Sequence, residues 1–422
     1  MSLTIIEIFN LALQNHQKKN YQVAIDYYNE VLKVEPKHLD TYNNLGAVFH
    51  VLGDNKKAIS YIEKVIEIDP KHVEANNNLG VLSQKLGEHQ KAISCYEKVI
   101  EIDPKHIEAH SNLGAAYADL GKQQKAIDYL EKAKVLKPDH TISLYNLGVA
   151  LYSSKQYKKA SEQFKLINFK DSKSYLLGCL YELDDKATFF QELDEITKQE
   201  ETNAIIGSLS SRSEIKYGIK RSNPFCNDPL KYALNTNLIE QYDFKNIFVE
   251  PIKDILKEGT LPSRRQDLLT NGYQTTGSLF SLKNDSLEKI KNIIRLEVEK
   301  YKEHFKESKE GFIKNWPNSY SIKGWLIAMK SGGKLSPHMH ERGWLSGSIY
   351  INVPPKLKTD RGNLVACIDN QEPELEQNKE QRKVMDVVTG SLCLFPSSLY
   401  HYTIPFESEE ERIVLAFDVI PK

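Results

Sequence analysis

The residues with the clearest chemical potential lie near the C-terminus. His338 and His340 are separated by one residue, His401 follows further along the chain, and Arg412 stands in a strand-like run. Side chains two apart on an extended strand project from the same side, so His338 and His340 are expected to point together, with His401 facing them. Three ligands on one face with open positions opposite are typical of non-haem iron enzymes. The pattern predicts a mononuclear iron site, with a packed core histidine pair, a structural zinc site or another cupin-like metal role as alternatives.

Short strands with turn signals between them surround these residues and must position them. The predicted strands are 320–329, 347–353, 363–368, 383–388, 391–395, 400–404 and 412–419. Ser331-Gly332-Gly333 is predicted to be one of the turns. A long amphipathic helix is predicted to begin near Asn284 or Asp285, because apolar residues follow at helical spacing. Many short strands with one packed helix predict a double-stranded β-helix, or jelly roll, whose interior can hold a metal and a small ligand.

The first two hundred residues repeat with a period of 34. The prolines that mark the period are Pro36, Pro70, Pro104 and Pro138, and the small residues in register are Ala12, Gly46, Gly80, Gly114 and Gly148. This period is that of the tetratricopeptide repeat, in which two helices press together at the small residue. Five repeats are predicted at 5–38, 39–72, 73–106, 107–140 and 141–174, and a degenerate sixth unit caps the stack up to about residue 200.

One polar residue recurs at the same position of every repeat. These residues are Asn10, Asn44, Asn78, Asn112 and Asn146. Asparagine is a poor helix former, so five in register need a reason. One interpretation is a ladder of amides that binds the backbone of an extended peptide in the concave groove. The other is packing between adjacent repeats, and both can hold together. The histidines that follow the prolines, such as His38 and His72, fall in turns between repeats and are not expected to bind metal.

Composition limits the class of protein. The 422 residues carry a net charge of −1, with 40% hydrophobic and 27% charged residues. This balance gives no reason to expect nucleic acid or a membrane surface as partner. The five cysteines are scattered and lack CxxC spacing, so reduced thiols in a cytoplasmic setting are expected. The predicted division is a repeat solenoid at 1–200, a connector at 201–245 and a jelly-roll domain at 246–422.

The segment from about 200 to 422 resembles a family of bacterial and phage 2-oxoglutarate/Fe(II)-dependent oxygenases, which often carry N-terminal tetratricopeptide repeats. The motifs that carry this resemblance are SGGKLSPHMH at 331–340, GWLSG at 343–347, FPS at 395–397 with His401, and Arg412 with AFD at 416–418. The resemblance implies Fe(II), 2-oxoglutarate and O2 as the cofactor and cosubstrates.

The resemblance also assigns roles to residues of the site. It implies that His338 and His401 are iron ligands. His340 stands where most relatives have an acid, and it is the preferred third ligand, with Glu341 or water as the alternative. Arg412 corresponds to the cation that grips the far carboxylate of 2-oxoglutarate.

The second position after Arg412 departs from the pattern of that family. It is Val414, where a hydroxyl residue is common, so Tyr350 and Ser346 are the further candidates for binding the cosubstrate. No catalytic residue is assigned beyond the metal site.

Together these features predict a dioxygenase that hydroxylates a protein or peptide recruited by the repeat groove. The alternative is a non-catalytic binding scaffold whose cupin-like barrel is merely stabilised by metal.

Overall fold

The computed structural model describes residues 3–259, 263–264, 268–275, 278–282, 284–355, 360–370 and 379–422. The chain divides into two compact units, Met1–Ser172 and Lys173–Lys422. Each unit is described by itself.

The N-terminal unit consists of helix pairs. The helices are α1 (Ile5–Gln17), α2 (Tyr21–Val34), α3 (Leu39–Val51), α4 (Asn55–Ile68), α5 (Val73–Lys85), α6 (His89–Ile102), α7 (Ile107–Asp119), α8 (Gln123–Leu136), α9 (Thr141–Ser153) and α10 (Tyr157–Phe164). Each pair falls within the bounds of one of the five predicted repeats. The glycine of the second to fifth repeats lies against an aromatic or aliphatic side chain of its partner helix: a Cβ built on Gly80 would lie 2.5 Å from the Tyr96 ring.

The histidines after the repeat prolines cap helices. The Nδ1 atoms of His38, His72 and His106 accept hydrogen bonds from backbone N–H groups three residues later, at 3.3, 3.2 and 3.1 Å. Capping satisfies a donor that the first turn of a helix leaves unpaired. This accounts for the periodic histidines without any metal.

The C-terminal unit starts with helices and continues into sheet. Its helices are α11 (Ser172–Glu182, beginning at the last residue of the first unit), α12 (Lys186–Lys198), α13 (Ala204–Tyr217), α14 (Glu250–Glu258), α15 (Asp285–His304) and α16 (Gly311–Lys314). Helices α11 and α12 are those predicted for the degenerate sixth repeat, and they belong to the second compact unit. The long predicted helix is confirmed as α15, which Asn284 caps by accepting from the N–H of Leu287 at 3.1 Å.

The strands form two antiparallel sheets. They are β1 (Leu234–Asn237), β2 (Ser263–Arg264), β3 (Leu269–Thr275), β4 (Tyr320–Leu335), β5 (Leu345–Asn352), β6 (Leu364–Cys367), β7 (Arg382–Met385), β8 (Ser391–Pro396), β9 (Tyr400–Thr403) and β10 (Arg412–Pro421). One sheet has the order β1-β8-β5-β10-β4-β3-β2 and the other β7-β6-β9.

The predicted turn at 331–333 is wrong, because β4 continues to Leu335. The residues form an irregularity inside the strand: Gly332 has φ +72°, and the pairing of β3 with β4 shifts register between Thr270 and Gly272. A glycine accepts this left-handed conformation without strain, so the strand bends and does not end.

Strand β10 separates the apolar core from the interior that holds the candidate site. Ile413, Leu415, Phe417 and Val419 pack in the large cluster that also contains the buried face of α15. The alternate residues of β10 face the other way, and Val414 among them packs with Leu364, Ala366 and Met385 of the smaller sheet. A strand buried on both faces explains the nearly continuous apolar run of β10.

Within the described ranges, none of the helices is sufficiently long and apolar to cross a membrane.

Gly347 allows β5 and β10 to pack closely, and replacing it tests this packing. A Cβ at Gly347 would lie 2.2 Å from the Phe417 ring. We expect Gly347→Ala to lower the free energy of unfolding by about 1–3 kcal/mol because the aromatic ring must move. Urea denaturation followed by circular dichroism measures the change. Thr236→Ala, at an exposed position of β1, is the control and should change stability by less than about 0.5 kcal/mol. Equal stability of both variants would contradict this account.

Candidate metal centre

Three histidine side chains converge in the C-terminal unit. One nitrogen from each of His338, His340 and His401 lies within 4.8 Å of the others. The ring centroids of His338 and His401 are 4.2 Å apart, and that of His340 is 5.2 Å from the first and 4.8 Å from the second. The three residues predicted to share a site are therefore together.

A backbone bridge, and not a continuous strand, brings them together. His338 follows the end of β4 and pairs with His401 of β9 through reciprocal backbone hydrogen bonds of 3.2 and 2.9 Å. His340 lies in the loop beyond this bridge. The predicted strand geometry for 338–340 is therefore wrong, although the predicted convergence of the side chains is correct.

The hydrogen bonds of the histidine rings determine which ring nitrogens remain to coordinate a metal ion. His338 donates from Nδ1 to the Ser336 carbonyl at 2.9 Å, and the Nδ1 of His340 lies 2.6 Å from Oδ1 of Asp418. Nε2 of both rings is thereby left with its lone pair. His401 is 5% exposed, and its buried Nδ1 makes no hydrogen bond within the described part of the chain. Unpaired buried nitrogen costs free energy, so this cluster fits a bound cation.

The surroundings keep two of the imidazoles neutral. Burial, reinforced by the neighbouring His340, lowers the pKa of His338 to about 4. Burial, with His338 and His340 nearby, holds the pKa of His401 well below its ordinary value. Neutral imidazole is the form that binds metal, so both rings are ready to act as ligands at pH 7.

Asp418 is a site residue that the sequence did not assign. Its carboxylate accepts from Ser346 Oγ at 2.9 Å in addition to its contact with His340, and Ser346 Oγ lies 2.8 Å from Ser397 Oγ. The signal was present in the sequence: an acid stands in phase with Arg412 on the inward side of an otherwise apolar strand. Nothing in the sequence pattern alone, however, indicated that His340 was its partner.

Arg412 lies on the same face of β10, six residues before Asp418. Its side chain is 1% exposed, its guanidinium lies 5.0 Å from the centre of the Tyr350 ring, and Nη1 donates to the carbonyl of Gly362. Burial lowers its pKa. In the described part of the chain no carboxylate forms an ion pair with it, and its Nε has no partner. A buried cation of this kind is suited to bind an anion.

The two further cosubstrate candidates lie at different ends of this face. Tyr350 pairs with Val414 and lies beside Arg412. Ser346 pairs with Asp418 and contacts the histidine end. Their roles in binding a cosubstrate stay predictions.

Aromatic side chains border the histidines. The Trp325 ring meets His340 edge-on at 5.3 Å, and the Phe395 ring lies 4.8 Å from His401. Trp344, in contrast, is a core residue whose Nε1 donates to the Phe312 carbonyl at 3.0 Å.

Two of the helices before the sheets also contact residues next to the histidines. Tyr175 of α11 donates to the Glu341 carboxylate at 2.8 Å, and Arg212 of α13 donates to the Tyr400 hydroxyl at 3.3 Å. Glu341, the alternative third ligand, is exposed and stands outside the histidine cluster. No sequence signal linked these helices to the site, because the contacts join residues far apart in the chain.

The repeated asparagines of the N-terminal unit bond mainly between repeats. Asn78, Asn112 and Asn146 donate from Nδ2 to Asn43, Asn77 and Ser111 of the preceding repeat, at 3.1, 3.3 and 3.5 Å. Asn44 donates within its own helix to the Asp40 carbonyl, and Asn10 is exposed. The packing role is therefore present, and peptide binding by the same residues stays a prediction.

Two family models match the sequence. A model described as "Putative 2OG-Fe(II) oxygenase" matches residues 323–418, which include the histidines, Arg412 and Asp418. A tetratricopeptide-repeat model matches residues 4–71 and 73–134. The N-terminal part of the chain thus contains tetratricopeptide repeats, and its C-terminal segment resembles this oxygenase family. Among curated proteins, none matches it.

Three similar solved structures each match less than half of this chain. MamA from Desulfovibrio magneticus RS-1 is 24% identical over 39% of this chain and 93% of that chain, with a TM-score of 0.36. PilW, a type IV pilus biogenesis factor, is 19% identical over 47% and 94%, with a TM-score of 0.43. YrrB, described as a tetratricopeptide-repeat protein with an unusual peptide-binding site, is 20% identical over 44% and 92%, with a TM-score of 0.35.

Replacing Arg412 by methionine separates a ligand-binding role from a structural one. Methionine has a similar length without the buried charge, so we expect the free energy of unfolding to stay within about 1 kcal/mol of wild type or to rise. We also expect 2-oxoglutarate to raise the melting temperature of the wild type and to have no effect on Arg412→Met. Arg382→Met, which removes a buried arginine of β7, should retain the response to ligand. Marked destabilisation of Arg412→Met with an intact ligand response would contradict this prediction.

Proposed function

We propose that the C-terminal unit is an Fe(II)- and 2-oxoglutarate-dependent dioxygenase that hydroxylates a protein or peptide. The observation that carries this proposal is the cluster of three histidines on the same interior as a buried arginine that lacks an acidic partner within the described residues. The oxygenase family match over residues 323–418 supports the same chemistry.

We further propose that the two sheets close as a jelly roll around this interior. Support comes from an apolar cluster that unites Tyr350, Cys393 and Val414 of the larger sheet with Leu364 and Ala366 of the smaller one. Side chains from both sheets thus meet face to face, as the interior of a jelly roll requires.

In this proposal His338, His340 and His401 hold Fe(II). The unbonded, buried Nδ1 of His401 and the neutral state of His338 and His401 support the fit of a cation. When bound, iron supplies the oxygen chemistry that couples decarboxylation of 2-oxoglutarate to succinate and CO2 with hydroxylation of a C–H bond. The protein contributes fixed ligands and a shielded interior.

Arg412 and Tyr350 hold the far carboxylate of 2-oxoglutarate. Arg412 and Asp418 are six residues apart on β10, a separation of about 20 Å along the strand at about 3.3 Å per residue. The long arginine side chain and the histidine rings occupy part of this distance, so the space left for a ligand is shorter. Ala416 and Ser348 are paired between them, and small side chains there leave space for a short dicarboxylate. Trp325 and Phe395 flank the rings and limit access of water.

The repeat unit recruits the polypeptide substrate. Within the described residues, the Oδ1 atoms of the half-buried Asn78 and Asn112 accept no hydrogen bond after the Nδ2 atoms have bonded between repeats, and such oxygens suit the N–H groups of an extended chain. Tetratricopeptide repeats that bind peptides and a hydroxylase that acts on them form a coherent pair of functions in one chain.

Succinate release tests the enzymatic function directly. Purified protein with Fe(II), ascorbate and 2-oxoglutarate should release succinate even without substrate, and His338→Ala and Arg412→Ala should lower the rate at least about 100-fold because each removes a group that holds iron or cosubstrate. Mass spectrometry of succinate measures the rate. Absence of turnover, together with absence of anaerobic metal binding, would overturn the enzymatic function, whereas metal binding without turnover would favour the non-catalytic scaffold.

The asparagine ladder is tested by two matched pairs of substitutions. Asn78→Ala with Asn112→Ala removes the ladder amides, whereas Asn43→Ala with Asn77→Ala removes their acceptors and leaves the ladder in place. The first pair should weaken binding of the hydroxylated polypeptide about tenfold or more, because several hydrogen bonds to the polypeptide are lost, and the second pair should not. Fluorescence titration measures affinity, with metal content as the control. Equal loss in both pairs would mean that the asparagines serve packing alone.

A further inference from the structure

Asp418 is a buried carboxylate with an unusual set of partners. It is 7% exposed on the inward face of β10, and Oδ1 lies 2.6 Å from Nδ1 of His340 and 2.9 Å from Oγ of Ser346. Lys323 is opposite it on β4, but it is exposed, and in the described part of the chain no lysine or arginine forms an ion pair with Asp418, whose partner is the imidazole of His340. A buried carboxylate without a lysine or arginine partner needs a reason.

The surrounding strands hold this carboxylate in a fixed position. The pairing of β10 with β5 sets Asp418 beside Ser346, whose hydroxyl lies 2.8 Å from that of Ser397, and Ser397 is fully buried. Gly343 packs against the same serine: a Cβ there would lie 2.4 Å from Ser397 Oγ. The loop that carries His340 therefore packs against the hydrogen-bonded serines that orient Asp418.

The lack of negative charge among the three histidines explains why a carboxylate lies beside them. Three neutral imidazoles contribute no negative charge to a divalent cation, whereas two imidazoles and an acid contribute one. A carboxylate bonded to the outer nitrogen of a ligand imidazole fixes its tautomer and raises its basicity. Asp418 has that position relative to His340.

We propose that Asp418 is a positioning residue of the metal centre, which holds His340 with its proton on Nδ1 and supplies through that ring the negative charge that an acid ligand would supply directly. The inference rests on the proposed metal site. It explains how this chain can have histidine at the central position: the acid lies on the neighbouring strand, one hydrogen bond further from the metal.

The proposal is tested by anaerobic titration with Co(II), a redox-stable probe, against a chromophoric chelator. Asp418→Asn keeps the shape and removes the charge, and it should weaken Co(II) binding about 10–100-fold. His340→Asp moves the acid to the ligand position. In that background Asp418→Asn should leave binding unchanged or strengthen it, because it now removes a neighbouring like charge.

Two measurements separate this effect from damage to the fold. Glu297→Gln neutralises another buried acid, on α15, and should leave the affinity for Co(II) unchanged. The visible d–d spectrum of bound Co(II) should shift in Asp418→Asn, since the donor strength of His340 changes, while the urea midpoint of the metal-free protein serves as the measure of folding.

Each outcome has a defined meaning. Failure of the wild type to bind Co(II) would overturn the proposed function itself. Wild-type binding with equal affinity in Asp418→Asn would overturn only the role of Asp418. The same weakening in both backgrounds, or no binding by the His340→Asp, Asp418→Asn double variant, would show that the carboxylate does not act through His340.

Discussion

The C-terminal unit is governed by the cost of burying polar groups between apolar sheets. Its interior contains three imidazoles, a carboxylate and a guanidinium, each of which must exchange water for protein partners or a ligand. Most of the polar atoms have partners: Ser336 for His338, Asp418 for His340, and the Gly362 carbonyl for Arg412. Within the described chain, Nδ1 of His401 and Nε of Arg412 do not. Unsatisfied groups at two ends of one interior face are characteristic of a binding site.

Strand β10 contributes residues to both the apolar core and the candidate site. Its odd-numbered residues pack toward α15, and its even-numbered residues supply Arg412 and Asp418 to the interior. A shift of one residue in register would exchange these two sets and bury the charges in the apolar core. The close contact of Gly347 with Phe417 makes such a shift costly. The spacing between the arginine and the carboxylate is therefore set by the stability of the sheet.

The N-terminal unit illustrates how a repeated residue can serve structure before any partner binds. The asparagines donate to the preceding repeat, and the histidines cap the first helix of the following one. Both bonds satisfy polar groups where consecutive helices meet. If the asparagines also bind a peptide, they would do so through their side-chain oxygen atoms, because the Nδ2 atoms already donate to the preceding repeat.

The sequence by itself determined the repeat period, the helix α15, the approximate positions of strands β4 to β10 and the set of His338, His340, His401 and Arg412. These follow from local rules: proline and glycine spacing, helical and strand periodicity, and residue type. Only the tertiary structure decided that β4 passes through Gly332, that a backbone bridge joins His338 to His401, and that Asp418 accepts from His340. Those features depend on the register between strands distant in sequence, where packing of both faces outweighs local preference.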